Sequence, residues 1–151
     1  MIVRQKTEAM ASRFLDTNIL LYAASEQALP ADEGKHERAL EIIGEGDFAI
    51  SAQVLQEFYA NAIKLKPQPL TKEEAQHWVA LLGEIECATI DHRLVTEGIL
   101  LSQRYTTSYW DGAIIAAAHA TGASHLYSED LNDGQRYGEV TVINPFKNTE
   151  H

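Results

Sequence analysis

Hydrophobic residues in this chain fall in short blocks that alternate between two spacings. Arg13-Phe14-Leu15 is a brief apolar run that stops at Asp16-Thr17-Asn18, and Ile19 to Ala24 resumes it. That pattern predicts a buried strand, a polar turn and a first helix, with Asp16 at the C-terminal end of the strand. Between Lys35 and Glu45, residues Ala39, Leu40, Ile42 and Ile43 share one helical face, closed by Gly44 and Gly46, and Phe48-Ala49-Ile50 forms a second strand. Ser51 caps the next helix, where Val54, Leu55, Phe58 and Ala62 lie at helical spacing and Glu57 falls at the margin of the apolar face. Pro67 and Pro69 end it.

Thr71 to Glu74 carries the Thr-x-x-Glu pattern of a capping box and opens a helix through about Ile85, with a third strand from Cys87 to Ile90. Asp91 caps a helix to about Tyr105, and Ser108 caps another from Tyr109 to Thr121, stopped by Gly122. That last helix is apolar nearly all round, so it should be buried. His125 to Ser128 and Val140 to Ile143 supply the fourth and fifth strands, and the acidic turn Glu129 to Gly138 separates them.

Short strands alternating with helices predict an α/β domain with a mostly parallel, five-stranded sheet. In such sheets the ligand crevice lies beyond the C-terminal ends of the strands, which is where Asp16 and Asp130 are placed. With no linker or repeat, residues 13–147 read as one domain. Residues 1–12 are polar and aperiodic, with Met10 a second start, and are expected to be disordered or accessory.

Composition narrows the picture. The apolar runs are far short of a membrane span, and no apolar core follows the basic residues near the N-terminus, so a soluble, cytoplasmic protein is expected. Cys87 is the single cysteine, which leaves no internal disulfide and no thiolate metal cluster. The six histidines show no ligand spacing, so zinc is not expected, and all of them, His119 on its apolar helix included, read as structural or surface residues. A net charge of -10 argues against holding nucleic acid by broad phosphate neutralisation. Nucleic acid is a substrate only if metal ions and local basic residues offset the repulsion.

Asp111 is the residue that changes the reading. It sits in the first turn of the most apolar helix, where a charge has no place unless it faces a polar cavity. Asp16, Glu57, Asp111 and Asp130 each have an ordinary alternative, as helix cap, solvated flank, dipole partner or turn residue. Chance placement of all four is less expected than chance placement of any one. Carboxylates gathered together repel unless a divalent cation neutralises them, and oxygen donors without thiolate or imidazole suit Mg²⁺ or Mn²⁺.

Phe14-Leu15-Asp16-Thr17-Asn18, Leu55-Gln56-Glu57-Phe58, Ser108-Tyr109-Trp110-Asp111 and Leu126 to Leu131 resemble, in order, the motifs of PIN-domain nucleases. Within that family the chain is most similar to the VapC-like toxins of type II toxin–antitoxin pairs. The resemblance implies a PIN-like three-layer α/β/α domain and a Mg²⁺- or Mn²⁺-dependent ribonuclease that hydrolyses RNA phosphodiester bonds with metal-activated water. It makes Asp16, Glu57, Asp111 and Asp130 the catalytic, metal-binding acids, supported by Thr17, Asn18 and Ser128. The fourth acid is open among Asp130, Glu129 and Asp133, with Asp130 favoured by Ser-x-Asp. RNA and a cognate antitoxin are the implied partners, and a homodimer is the implied assembly.

Lys64, Lys66, Arg93, Arg104 and Arg136 are candidate contacts to RNA phosphate. Tyr109 and Trp110 are candidates for stacking on a base, although burial against the sheet is the preferred expectation. A different class of function is a catalytically silent PIN-like interaction module, or part of an antitoxin-bound repressor complex, which an intact acid set disfavours. A phosphatase using an aspartate after its first strand is a third reading, and Asp-Thr-Asn lacks the second aspartate such enzymes carry.

Overall fold

The computed structural model describes residues 11–147. The elements run β1 (Arg13–Leu15), α1 (Thr17–Ala24), α2 (Lys35–Gly44), β2 (Phe48–Ser51), α3 (Ala52–Ala62), α4 (Lys72–Leu82), β3 (Glu86–Ala88), α5 (His92–Tyr105), α6 (Tyr109–Ala120), β4 (His125–Tyr127), β5 (Arg136–Tyr137) and β6 (Val140–Ile143). The capping residues expected from sequence act as caps. Ser51 accepts from Val54 N, Asp91 from Leu94 N, Ser108 from Asp111 N, and Thr71 with Glu74 closes a reciprocal capping box. Gly122 takes the left-handed conformation just beyond α6, at φ +74°.

The strand order is β3-β2-β1-β4-β6-β5, six strands where five were expected. The added strand, β5, is only two residues long and pairs antiparallel with β6, and two residues are too few to show a period in sequence. All other pairings are parallel. Successive strands β1, β2 and β3 step in one direction from the centre, and β4 returns to the other side of β1. Right-handed crossovers therefore put α1 to α4 on one face and α5 and α6 on the other, giving three layers. The helix contacts follow this division, α1 with α2 and α3, α3 with α4, and α5 with α6.

Phe14, Leu15, Ile50, Leu126 and Val142 form the sheet's part of the core, and Phe58 of α3 and Ile115 of α6 press on it, all fully buried. Burial of each such side chain contributes roughly 1.5–3 kcal/mol. Two expected boundaries shift, with α4 stopping at Leu82 and β3 covering Glu86–Ala88 rather than Cys87 to Ile90. Residues 1–10 of the expected accessory segment lie outside the described residues. Ala11 and Ser12 belong to the fold, Ala11 being buried and Ser12 Oγ donating to Asp47 at 2.7 Å. Among the described residues no helix is long and apolar enough to cross a membrane.

Candidate active site

The reversal of strand order between β1 and β4 leaves a gap at their C-terminal ends, and Asp16 stands in it. Asp16 caps α1, accepting from Thr17 N at 2.8 Å, while its own backbone N–H donates to Tyr127 O at 3.0 Å and so ties β1 to β4. Its other oxygen accepts from Ser128 Oγ at 2.7 Å. The same Ser128 oxygen accepts from Asp130 N at 3.1 Å, so one buried hydroxyl at the end of β4 orients both acids.

Glu57 arrives from α3 and accepts from Thr17 Oγ1 at 2.7 Å and from Gln53 Nε2 at 3.3 Å. Asp111 enters from the first turn of α6. Asp130 accepts from Asn18 Nδ2 at 3.0 Å. All four acids line one cleft of about 300 Å³, together with Thr17, Asn18, Gln53, Asn61 and Trp110.

The electrostatics are set first by burial, with the neighbouring carboxylates a smaller addition. Burial pushes Asp16 up to about 6; the hydrogen bonds from Ser128 and Thr17 oppose this, and Asp130 and Glu57 add to it. Asp111 is also raised, first by burial and then by Asp130 and Glu57, with Ser108 opposing. A divalent cation would remove this conflict. Among the described residues no three acidic, imidazole or thiol groups are gathered closely enough to enclose an ion. The donors are all oxygen, Asp16 is buried among like charges, and Asn18 Oδ1 is buried without a hydrogen-bond partner. That set fits a hard cation held by a few carboxylates and retaining several waters.

The three candidates for the fourth acid separate in space. Glu129 is bound by Lys35 Nζ at 3.0 Å and by the Tyr22 hydroxyl, and Asp133 accepts from Asn144 N at 2.7 Å and pairs with Lys147 at 3.1 Å. Only Asp130 of the three lines the acidic cleft.

The basic candidates are scattered. Lys64, Arg93, Arg104 and Arg136 do not line the cleft, and Lys66 lines the pocket beside it. Arg136 is in register with Thr141, which is level with His125 at the start of β4, so it lies toward the end of the sheet away from Asp16. Arg93 pairs with Glu97 and Arg104 lies over Tyr105. Lys64 is exposed one turn beyond Asn61. His119 bonds Tyr137 O at 2.9 Å, the structural role expected of it.

Trp110 corrects an expectation. It is 63% exposed rather than packed on the sheet, because the first turn of α6 carries it to the mouth of the cleft, where it stacks edge-on with Tyr109 at 5.1 Å. Gln53 was not singled out from sequence. It is buried and joins Glu57 to Trp110 O, and its position one turn before Glu57 was the available signal.

A doubly wound parallel sheet with four acids at its switch point defines the class: an α/β domain with an acidic crevice. Residues 13–136 match the PIN domain model, and the chain belongs to that family. Among solved structures it is similar to a toxin–antitoxin complex from Klebsiella pneumoniae, at 20% identity and TM-score 0.66, covering 89% of this chain and 98% of that one. It is similar to Mycobacterium tuberculosis VapC20, described as a sarcin–ricin loop cleaving toxin, at 16% identity and TM-score 0.61, covering 78% and 88%. DNA-bound VapBC from Salmonella typhimurium aligns at 19% identity and TM-score 0.59, covering 88% and 97%. At these identities the likeness establishes the fold. No curated protein matches the sequence.

Proposed function

We propose that this chain is a Mg²⁺- or Mn²⁺-dependent ribonuclease and the toxin of a toxin–antitoxin pair. The observation that carries the reading is the convergence of Asp16, Glu57, Asp111 and Asp130 on one cleft, from two strand ends and two helices. Family membership and similarity to solved toxin structures support it.

Asp16, Glu57, Asp111 and Asp130 would hold the ion. A bound divalent cation supplies neutralisation of developing phosphate charge and a water acidic enough to act as nucleophile. The protein's own part is orientation. Ser128 aims Asp16 and Asp130, Thr17 aims Glu57, and Asn18 holds Asp130. Trp110 offers an exposed aromatic face at the cleft mouth for an unstacked base.

An antitoxin would cover the same cleft, and a basic side chain inserted among the carboxylates would occupy the ion's place. The homodimer is proposed from family resemblance. The test is cleavage of a defined RNA panel with Mg²⁺, Mn²⁺ or chelator by wild type and Asp111→Asn in parallel. Cleavage by wild type that chelator and Asp111→Asn both abolish is expected, and metal-independent cleavage by both would overturn the assignment.

A further inference from the structure

A second pocket, of about 290 Å³, opens beside the acidic cleft and shares Asn18 and Leu21 with it. We infer that this pocket is a nucleobase subsite, receiving one base of single-stranded RNA next to the phosphate held in the cleft. The inference rests on the ribonuclease reading and goes beyond it by naming where a base is read.

The pocket is at the small end of ligand sites, the scale of one planar ring rather than a peptide helix. Its apolar wall is made by Leu21, Ala28, Leu29 and Leu65 joined by Tyr22, and polar side chains line the rest. The Tyr22 ring is fixed, packed edge-on to Phe146 at 5.0 Å and held by its hydroxyl to Glu129. A rigid aromatic in an apolar slot suits a base face.

The polar groups favour a base over a phosphate inside the slot. Asp32 and Glu129 share one cation, Lys35, at 3.2 and 3.0 Å, which leaves the trio net negative. The two carboxylates disfavour phosphate directly beside them and present acceptors to the amino edge of a base, with His36 lining the same pocket. Lys66, on the rim, is exposed and makes no ion pair among the described residues, so it is placed to meet the backbone phosphate outside the slot. A base in the pocket and its phosphate in the cleft are joined across Asn18, which lines both.

The test is an amide-shift titration of the full chain in chelator with the four nucleoside 5′-monophosphates, ribose 5-phosphate and inorganic phosphate. At least one nucleotide is expected to move the amides of residues 25–29 and 65–66, and ribose 5-phosphate and phosphate are expected to leave them in place. Ala28→Trp, in an exposed loop, should weaken that binding about tenfold, the scale of one lost stacking contact. It should also flatten the base preference of RNA cleavage beside the cut. Lys66→Ala should raise KM for RNA while leaving the base preference intact.

Absence of nucleotide shifts, or equal shifts with ribose 5-phosphate, overturns the subsite. Wild-type base preference in a folded Ala28→Trp overturns it as well and leaves the pocket to a segment of a protein partner. The titration needs no turnover, so the two readings fail separately. Cleavage without nucleotide shifts removes the subsite alone, and base-specific shifts in a chain that cleaves no RNA remove the ribonuclease reading alone.

Discussion

Ser128 holds two acids with one hydroxyl, donating to Asp16 and accepting from the backbone of Asp130. On the proposed reading it is a positioning residue, and its removal should act through the ion. Ser128→Ala is expected to weaken Mg²⁺ affinity and RNA cleavage by roughly 10–100-fold, the usual cost of losing an outer partner of a metal ligand. Isothermal titration beside a cleavage assay checks this, and Ser128→Thr should recover part of both. Asp16 shows the cost of building such a site. Its folded pKa of about 6 lies above the ordinary carboxylate value, so between about pH 4 and 6 the folded state binds more protons than the unfolded one. Stability contributed by this group is therefore present at low pH and lost as pH rises through about 6. In chelator, Asp16→Asn should be more stable than wild type at pH 7.5, by roughly 1–2 kcal/mol, and this gain should vanish near pH 4. Thermal melts across pH measure it. Mg²⁺ should raise the wild-type melting temperature and leave that of Asp16→Asn unchanged.

At the scale of elements, α6 delivers Asp111 only because α5 can approach it closely. A Cβ at Gly112 would stand 2.5 Å from Gly98 O and 2.8 Å from Ser102 Cβ, whereas one at Gly98 would meet Ala113 Cα at 3.2 Å. Gly112→Ala must push the helices apart, and a loss of roughly 1–3 kcal/mol is expected by urea unfolding, with a smaller loss for Gly98→Ala. Activity should fall with Gly112→Ala, since the first turn of α6 shifts with the helix. Most elements could be read from the chain because caps and periods are local signals. Ser51, Thr71, Asp91 and Ser108 announce their helices within four residues. β5 escaped because two residues carry no period, and Trp110 was misplaced because its exposure depends on where α6 projects past the sheet. The acids at strand and helix ends were legible for the same local reason. The choice among Glu129, Asp130 and Asp133 was not, since Glu129 is taken by Lys35 and Tyr22, about a hundred residues away in sequence, and Asp133 by Asn144 and Lys147.

For the whole molecule, the proposed nucleic-acid substrate is compatible with a net charge of -10 if the acids are concentrated where an ion would sit. Lys64, Arg93, Arg104 and Arg136 do not line the cleft, so binding of RNA should depend on the divalent ion more than on monovalent salt. The four-carboxylate cleft is proposed as a metal-dependent ribonuclease centre. Its most direct test measures single-turnover cleavage of a defined single-stranded RNA by wild type and Asp16→Asn in Mg²⁺ and in chelator. Metal-dependent cleavage by wild type is expected, with a loss on the order of a hundredfold or more in the variant, beyond the cost of an outer partner. Wild-type turnover by a folded Asp16→Asn, or cleavage that persists in chelator, would contradict it.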